Sequence, residues 1–171
     1  MKPKFPLYLS GERIFSNSQK AINLYDRFKL GELKEGKVVY SPFEALYIIE
    51  KHEAVFISLK KGKQLNDNEL ITLFSKKDKI FYTKYLIFKY LKNKGYIVKT
   101  GLKFGEEFRV YKKNDKHARW IVFPIGSNEK ISPKELISKS RVTHSTGKKL
   151  LLSMVDNEEG ITFYEIDWVK P

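Results

Sequence analysis

The sequence lacks cysteine and any long hydrophobic run. No cysteine occurs among its 171 residues, which excludes disulfide bridges, thiolate nucleophiles and cysteine-rich zinc sites. The longest stretch without Asp, Glu, Lys or Arg is residues 120–128, whereas a membrane-spanning helix needs about 20 apolar residues. The first residues, MKPKFPLYLSGER, show no apolar signal-peptide core. We therefore expect a soluble cytoplasmic protein with no membrane partner.

Histidine is scarce, and no metal-binding pattern accompanies it. The three histidines, His52, His117 and His144, are far apart in the sequence and form no His-x-x-x-His pair. Magnesium-dependent nucleases place carboxylates on neighbouring strands together with an acidic-x-Lys element. Residues 79–171 contain no such tripeptide. The sequence therefore predicts neither a bound metal nor a cofactor.

The composition is basic and rich in aromatic residues. Lys and Arg number 33 against 20 Asp and Glu, a formal net charge of +13, and 42% hydrophobic residues suffice for a core. Residues 1–78 carry 14 basic and 10 acidic side chains, whereas residues 79–171 carry 19 and 10. An excess of one charge favours a polyanionic partner such as nucleic acid, although a general preference for lysine gives the same excess. The second half is the better candidate for contacts with a phosphate backbone.

Helix caps and turns predict two mixed α/β halves that meet near residues 75–79. In the first half, a strand at residues 37–40 leads into Ser41-Pro42-Phe43-Glu44, a capping box with proline at the first helical position. The helix should extend to about His52. A strand at residues 55–59 and a helix capped near Asn66 follow. We predict a small mixed α/β domain over residues 1–78.

The second half, residues 79–171, also reads as an α/β domain. An amphipathic helix over residues 80–91 is followed by Gly95 at the expected C-cap. Ser132 caps a second helix. Strands are predicted at residues 96–100, 107–112, 119–124, 150–155 and 161–169, the last two joined by an acidic hairpin turn. We predict a central mixed sheet flanked by helices.

The second half contains the residue types that metal-free RNA cleavage requires. The ribose 2′-OH can itself attack the phosphate, so the protein supplies a base, an acid and a cation. Tyr111, His117 and Lys148 all lie among lysines and arginines and offer these groups. Each is equally compatible with an ordinary surface role, and spacing alone does not select them.

Longer segments of the second half carry a more specific pattern. They are YLIFKYL, GYIVKTGLKFGEEFRVY, KHARW, RVTHSTGKKLLLSMVD and ITFYEIDWVKP, which together cover most of residues 79–171. This half closely resembles the archaeal tRNA-splicing endonucleases, the tRNA-intron lyases. SPFEALYIIE in the first half resembles the helix of that family's N-terminal domain. The resemblance implies a C-terminal catalytic nuclease domain over residues 79–171.

The resemblance also implies roles for individual residues. Tyr111 matches the family's general base, His117 its general acid, and Lys148 the cation that stabilises transition-state charge. Arg141 matches an arginine that grips an extruded RNA base by cation–π stacking. The implied reaction needs no metal and leaves a 2′,3′-cyclic phosphate and a 5′-hydroxyl.

Three features depart from the family's pattern. Phe163 or a neighbour stands where a second base-gripping arginine is expected in some members. Glu107 replaces an expected aspartate, and the loop of residues 112–116 is shorter than usual. All three matched catalytic residue types are present. The departures therefore concern contacts with RNA and not the catalytic groups.

The resemblance further implies an oligomer. The acidic turn residues Asp156, Glu158 and Glu159 are expected to dock into a basic cleft of a neighbouring subunit, and Trp168 is expected to add an apolar subunit contact. A tetramer is implied, either of four identical chains or of two catalytic and two structural chains.

We therefore expect an endoribonuclease that cuts precursor tRNA at bulge-helix-bulge intron junctions, recognising RNA shape. One alternative is a non-catalytic structural or RNA-binding subunit of the same kind of complex. Another is a metal-dependent DNA nuclease of related topology, which the missing carboxylate motif disfavours.

Overall fold

The computed structural model describes residues 4–100 and 108–171, which form two compact units. One unit comprises residues 4–79, and the other comprises residues 80–100 and 108–171. Each unit combines helices with a β-sheet, which confirms the predicted mixed α/β fold class. Glu107 lies outside the described residues. Within them, no helix is long and apolar enough to cross a membrane.

The N-terminal unit is a six-stranded mixed sheet with three helices. The sheet order is β3-β4-β2-β1-β5-β6, with β1 and β5 parallel and the other pairs antiparallel. The predicted strand and helix around Ser41 are confirmed, while β1, β2, α1, β3 and β6 were not foreseen from the sequence. The elements are β1 (Phe5–Ser10), β2 (Arg13–Ser16), α1 (Gln19–Phe28), β3 (Glu32–Lys34), β4 (Lys37–Tyr40), α2 (Pro42–Lys51), β5 (Ala54–Ser58), β6 (Lys63–Leu65) and α3 (Asp67–Ser75).

A buried carboxylate anchors the start of α2. Glu44 is 3% exposed, and its Oε2 accepts from the Ser41 N–H at 2.9 Å and from the Ser41 hydroxyl at 3.0 Å. Its Oε1 accepts from the Gly31 N–H at 2.8 Å. A buried carboxylate is tolerated only when such donors replace water. Glu44 therefore ties the predicted capping box to the turn before β3.

Gly31 faces a second constraint in the same turn. Its φ of +80° lies in the left-handed region, and a Cβ added there would come within 2.5 Å of Val38 Cγ1 and 2.8 Å of the Val39 carbonyl oxygen. Gly36 has a similar φ of +73°, but a Cβ there would meet nothing within 4 Å. Substitution of Gly36 therefore tests the free-energy cost of the backbone conformation alone, whereas substitution of Gly31 adds the cost of crowding against Val38 and Val39.

The C-terminal unit is a five-stranded mixed sheet with two helices. The sheet order is β11-β10-β9-β8-β7, with β9 and β10 parallel and the other pairs antiparallel. Gly95 follows the first helix with a φ of +87°, and Ser132 caps the second by accepting from the Glu135 N–H, as predicted. The elements are α4 (Phe81–Asn93), β7 (Ile97–Lys99), β8 (Arg109–Tyr111), β9 (Trp120–Gly126), α5 (Pro133–Ser145), β10 (Lys149–Val155) and β11 (Ile161–Ile166).

The last strand is shorter than expected. It ends at Ile166, because its partner β10 begins at Lys149 and Ile166 already pairs with Leu150. The prediction of a strand through residue 169 is therefore wrong at its end. Trp168 lies beyond the sheet ladder.

The two helices cover opposite faces of this sheet. Phe163 of β11 contacts Tyr90 of α4 with ring centroids 5.2 Å apart, and it pairs with Ser153. Phe123 of β9 lies beneath the Lys139 ammonium of α5 and pairs with Leu152. Consecutive residues of a strand point to opposite faces, so Leu152 and Ser153 lie on opposite faces of the sheet. Their partners Phe123 and Phe163, and the helices that these contact, therefore do so as well. The predicted sheet flanked by helices is therefore confirmed.

We expect Gly31→Ala to destabilise the chain by about 3 kcal/mol or more, since left-handed backbone costs about 1–2 kcal/mol and overpacking about 1–3 kcal/mol. Gly36→Ala should lose only the backbone contribution, about 1 kcal/mol. Urea unfolding of the full chain, followed by circular dichroism, measures both. Equal losses would show that the turn at Gly31 relaxes to admit a methyl group.

Candidate active site

Three neighbouring strands end or begin at the same edge of the C-terminal sheet. Val110 of β8 pairs with Trp120 of β9, which pairs with Lys149 of β10. Since β9 and β10 are parallel, both begin at this edge, and the antiparallel β8 ends there. Tyr111 and Lys148 therefore lie one residue further along, at one level of the sheet edge.

Backbone hydrogen bonds extend the ladder to this level. The Arg119 N–H donates to the Val110 carbonyl at 2.8 Å, and the Lys149 N–H donates to the Arg119 carbonyl at 3.0 Å. Strands are spaced about 4.8 Å apart, so the Cα atoms of Tyr111 and Lys148 are roughly 10 Å apart. Because consecutive residues of a strand point to opposite faces, Tyr111 and Lys148 both lie on the sheet face that α5 covers. Side chains of their length can converge on one group there.

His117 lies in the short loop between β8 and β9. The loop is shaped by an Asp115 carboxylate that accepts from the Lys112 N–H at 3.3 Å and by Asn114 in a left-handed conformation, φ +76°. Ala118 is 5% exposed and holds the end of the loop, whereas His117 is exposed. The structure therefore places His117 at the same sheet edge as Tyr111 and Lys148.

The C-terminal cap of α5 fixes the backbone position of Lys148. The Lys148 N–H donates to the Thr143 carbonyl at 2.9 Å, and the Gly147 N–H donates to the His144 carbonyl at 3.0 Å, with Gly147 at φ +68°. This is the hydrogen-bond pattern of a Schellman C-cap. The Lys148 ammonium donates to the Thr146 carbonyl at 3.0 Å, and Arg141 is exposed on the last two turns of α5. The helix C-terminus thus brings both cations to the sheet edge that holds Tyr111 and His117.

The acidic hairpin turn lies at the opposite end of the sheet. Asp156 Oδ1 accepts from the Glu158 and Gly160 N–H groups at 2.9 and 2.7 Å, and Glu159 Oε1 accepts from the Tyr82 hydroxyl at 3.0 Å. The seven residues of β10 separate this turn from the sheet edge that holds Lys148, a distance of roughly 20 Å. The structure therefore keeps Asp156, Glu158 and Glu159 apart from Tyr111.

Sequence reasoning missed a polar cluster beside the site. Glu165 Oε1 accepts from the Lys149 ammonium at 2.6 Å, and its Oε2 accepts from the Trp120 indole N–H at 2.7 Å. The Arg119 guanidinium lies 5.4 Å from the Trp120 ring centroid. Trp120, Lys149 and Glu165 lie on three different strands, so their proximity becomes visible only from the strand register.

The cluster shifts the protonation equilibria of its members. Hydrogen bonds from Lys149, and next from Trp120, lower the pKa of the Glu165 carboxyl. The hydrogen bond to Glu165 in turn raises the pKa of Lys149. Both groups are therefore charged at neutral pH.

No metal centre is evident in the described part of the chain. Over residues 4–100 and 108–171, no three His, Asp or Glu side chains come together in a way that could hold a metal ion. The groups at the sheet edge that holds Tyr111, His117 and Lys148 are a phenol, an imidazole and ammonium and guanidinium ions, which suit proton transfer and binding of phosphate.

Comparison with known proteins gives consistent matches. A family model described as tRNA intron endonuclease, catalytic C-terminal domain, matches residues 81–163. The chain is 40% identical to the tRNA-splicing endonuclease of Thermococcus gammatolerans, over 95% of this chain and 97% of that protein. It is 39% identical to the tRNA-splicing endonuclease of Pyrococcus abyssi, over 99% of both. The tRNA-splicing endonuclease of Methanothermobacter thermautotrophicus is 35% identical over 88% of this chain and 89% of that protein.

We expect Glu165→Gln to weaken the fold in a pH-dependent manner. Because the pKa of Glu165 is lowered in the folded chain, its charge stabilises the fold above the ordinary glutamate pKa of about 4.3. That contribution is lost as the pH falls through the lowered value. The urea midpoint of the variant should therefore lie below that of the unmodified chain at pH 7, and the difference should shrink as the pH falls below about 4.3.

Glu35→Gln, which removes an exposed carboxylate from the turn between β3 and β4, is the control for this measurement. A midpoint difference for Glu165→Gln that stays constant from pH 7 to pH 3 would contradict the role of the charge.

Proposed function

This chain belongs to the tRNA intron endonuclease family, and we propose that it cleaves precursor tRNA at bulge-helix-bulge intron junctions without a metal ion. The observation that carries the proposal is the common sheet edge shared by Tyr111, His117 and Lys148. The products would be a 2′,3′-cyclic phosphate and a 5′-hydroxyl. The proposal places the enzyme in the cytoplasm, where its RNA substrate is made.

Each group has one chemical task in this proposal. Tyr111, as the phenolate, removes the proton from the ribose 2′-OH, whose oxygen then attacks the adjacent phosphorus. His117, as the imidazolium, protonates the departing 5′-oxygen. The Lys148 ammonium stabilises the negative charge that develops on the phosphate oxygens. Cleavage thus transfers one proton to Tyr111 and one from His117.

The surroundings of these three residues suit an RNA substrate. Arg119, Arg141 and Lys149 bring further cations to the same end of the sheet. Arg141 has an exposed guanidinium that can stack on an extruded base, a contact that tolerates any base. Such a site recognises the shape of an RNA junction with unpaired bases more than its sequence.

The acidic hairpin supports an assembled enzyme. At roughly 20 Å from the sheet edge that holds Tyr111, His117 and Lys148, Glu158 cannot reach the proposed active site of its own chain. We propose that Asp156, Glu158 and Glu159 dock on a basic surface of a neighbouring subunit in a tetramer. The tetramer contains either four identical chains or two catalytic and two structural chains.

The first test is cleavage of a bulge-helix-bulge RNA by the purified chain in excess EDTA, with mapped product ends. We expect cutting at the junction and a cyclic phosphate. His117→Ala and Lys148→Ala should each lower the rate by about 10²-fold to 10⁴-fold with RNA binding retained. Tyr111→Phe should be similarly slow, because it removes only the phenolic oxygen.

His52→Ala, a histidine substitution in the other unit, is the matched control and should leave cleavage unchanged. An RNA with 2′-deoxyribose at both cleavage sites should bind without being cut. Inhibition by EDTA would contradict a metal-free reaction, and normal turnover by Tyr111→Phe would remove Tyr111 as the base. If the chain cuts nothing by itself or with a catalytic partner, the proposed activity is wrong. If it only supports cleavage by such a partner, it is a structural subunit.

Charge reversal tests the hairpin separately. Glu158→Lys should shift the chain to smaller species in sedimentation and lower its cleavage activity, because the docking charge is inverted. Glu158 is chosen because the Asp156 carboxylate shapes the turn and Glu159 is held by Tyr82. Glu53→Lys, in the other unit, is the control. An unchanged mass for Glu158→Lys would refute hairpin docking.

A further inference from the structure

Arg119 is an exposed residue whose guanidinium is held against an aromatic ring. Its Cζ lies 5.4 Å from the centroid of the Trp120 ring. That ring is itself fixed, because its Nε1 donates to Glu165 Oε2 at 2.7 Å and Tyr96 contacts it edge-on with centroids 5.7 Å apart. An arginine held against a fixed ring loses little conformational freedom when it binds an anion.

The backbone of Arg119 is fixed as well. Its N–H donates to the Val110 carbonyl at 2.8 Å, and its carbonyl accepts from the Lys149 N–H at 3.0 Å. Ala118, the preceding residue, is 5% exposed, and His117 stands one residue before that. A polymer that reaches the His117 imidazole therefore also comes close to the Arg119 side chain.

The carboxylate beside Arg119 is already engaged by other donors. Glu165 Oε1 accepts from the Lys149 ammonium at 2.6 Å, and its Oε2 is taken by Trp120. Within residues 4–100 and 108–171, no carboxylate forms an ion pair with the Arg119 guanidinium. Guanidinium N–H groups match two oxygens of one phosphate. Arg119 therefore offers its charge and its donors to an anion from outside the chain.

The ring that holds Arg119 lies on the other face of the sheet from two of the proposed catalytic residues. Trp120 pairs with Lys149, and both alternate with the positions of Tyr111 and Lys148. The Trp120 ring therefore lies on the face that α4 covers, whereas Tyr111 and Lys148 lie on the face that α5 covers. An RNA strand carries a phosphate at every nucleotide, so a strand that is cut at this edge has further phosphates on both sides of the cut.

RNA is the anion that the position of Arg119 favours. The other candidate is the acidic hairpin of a neighbouring subunit. Arg119 follows His117 by only two residues, in the segment between β8 and β9 that the substrate must contact if His117 is the acid. A subunit docked on Arg119 would compete with the RNA for this segment.

We propose that Arg119, positioned by the Trp120 ring, binds a phosphate group of the RNA substrate close to the cleaved linkage. This inference rests on the proposed function, since it assumes that RNA occupies the sheet edge that holds His117. Arg119 is a substrate-binding residue with no part in proton transfer. Trp120 is a positioning residue that acts through Arg119.

The test measures the salt dependence of RNA binding. The probe is a bulge-helix-bulge RNA with 2′-deoxyribose at both cleavage sites, and its Kd is measured over a range of KCl concentrations. Arg119→Gln should weaken the Kd by about tenfold to a hundredfold, because a hydrogen bond to a charged group is lost. The plot of log Kd against log salt should become less steep by about one, since one phosphate contact is removed. Arg119→Lys should keep the slope, because it keeps the charge, but bind more weakly than the unmodified chain.

Two further measurements identify the contact. Trp120→Leu should weaken the Kd in the unmodified chain and change nothing further in Arg119→Gln, because it acts only through Arg119. A second set of RNAs carries one methylphosphonate linkage at a time, which removes the charge of one phosphate. One of the linkages that weaken binding to the unmodified chain should cease to matter for Arg119→Gln.

Arg27→Gln is the matched control, because the Arg27 guanidinium also lies against a ring, 5.1 Å from the Phe28 centroid, in the other unit. It should behave as the unmodified chain. An unchanged Kd and salt slope for Arg119→Gln would overturn the proposal, as would a methylphosphonate set in which every linkage keeps its effect. A lower assembly mass for Arg119→Gln in sedimentation without RNA would overturn it in favour of a subunit contact.

The two proposals fail differently. If the unmodified chain does not cut the all-ribose RNA, the proposed function fails whatever the binding measurements show. If it cuts that RNA and Arg119→Gln binds the deoxyribose probe with an unchanged Kd and salt slope, only the phosphate contact fails.

Discussion

The arrangement of the C-terminal unit depends on the parallel pairing of β9 with β10. Parallel neighbours need a crossover connection, which here contains α5, so the chain must return to the edge where β9 began. The return delivers the C-terminus of α5, with Arg141 and Lys148, to the edge that already holds His117. Antiparallel β8 then adds Tyr111 from the other side. One pairing choice thus gathers residues that are up to 37 positions apart in the sequence.

The same pairing separates the acidic hairpin turn from the basic edge of the sheet. Parallel strands that begin at one edge must also end together, so the hairpin after β10 lies at the far end of the sheet. Its carboxylates are therefore kept away from the cations that would bind phosphate. Tyr82 and the turn's own N–H groups hold two of these carboxylates in place. A chain built this way can present an acidic surface and a basic surface without either neutralising the other.

Local signals in the sequence predicted much of this fold. Ser41, Gly95 and Ser132 mark helix ends because capping depends on a few neighbouring residues. The parallel pair of β1 and β5 escaped prediction, since its partners are about 50 residues apart and nothing local records the pairing. The contact of Glu165 with Lys149 and Trp120 escaped for the same reason. The roles of Tyr111, His117 and Lys148 came from the resemblance to a family, because spacing alone does not distinguish them from surface residues.

The three positions that we propose to be catalytic each have a buried neighbour. Val110 is 0% exposed beside Tyr111, Ala118 is 5% exposed beside His117, and Leu150 is 0% exposed two residues after Lys148. His117 is exposed and Tyr111 and Lys148 are half-buried, while the adjacent backbone is fixed by the core. Catalytic groups need this combination, because a rigid support keeps the geometry and exposure admits a large substrate. An RNA junction is too large for a closed pocket, so partly exposed groups at the edge of a buried sheet suit the proposed substrate.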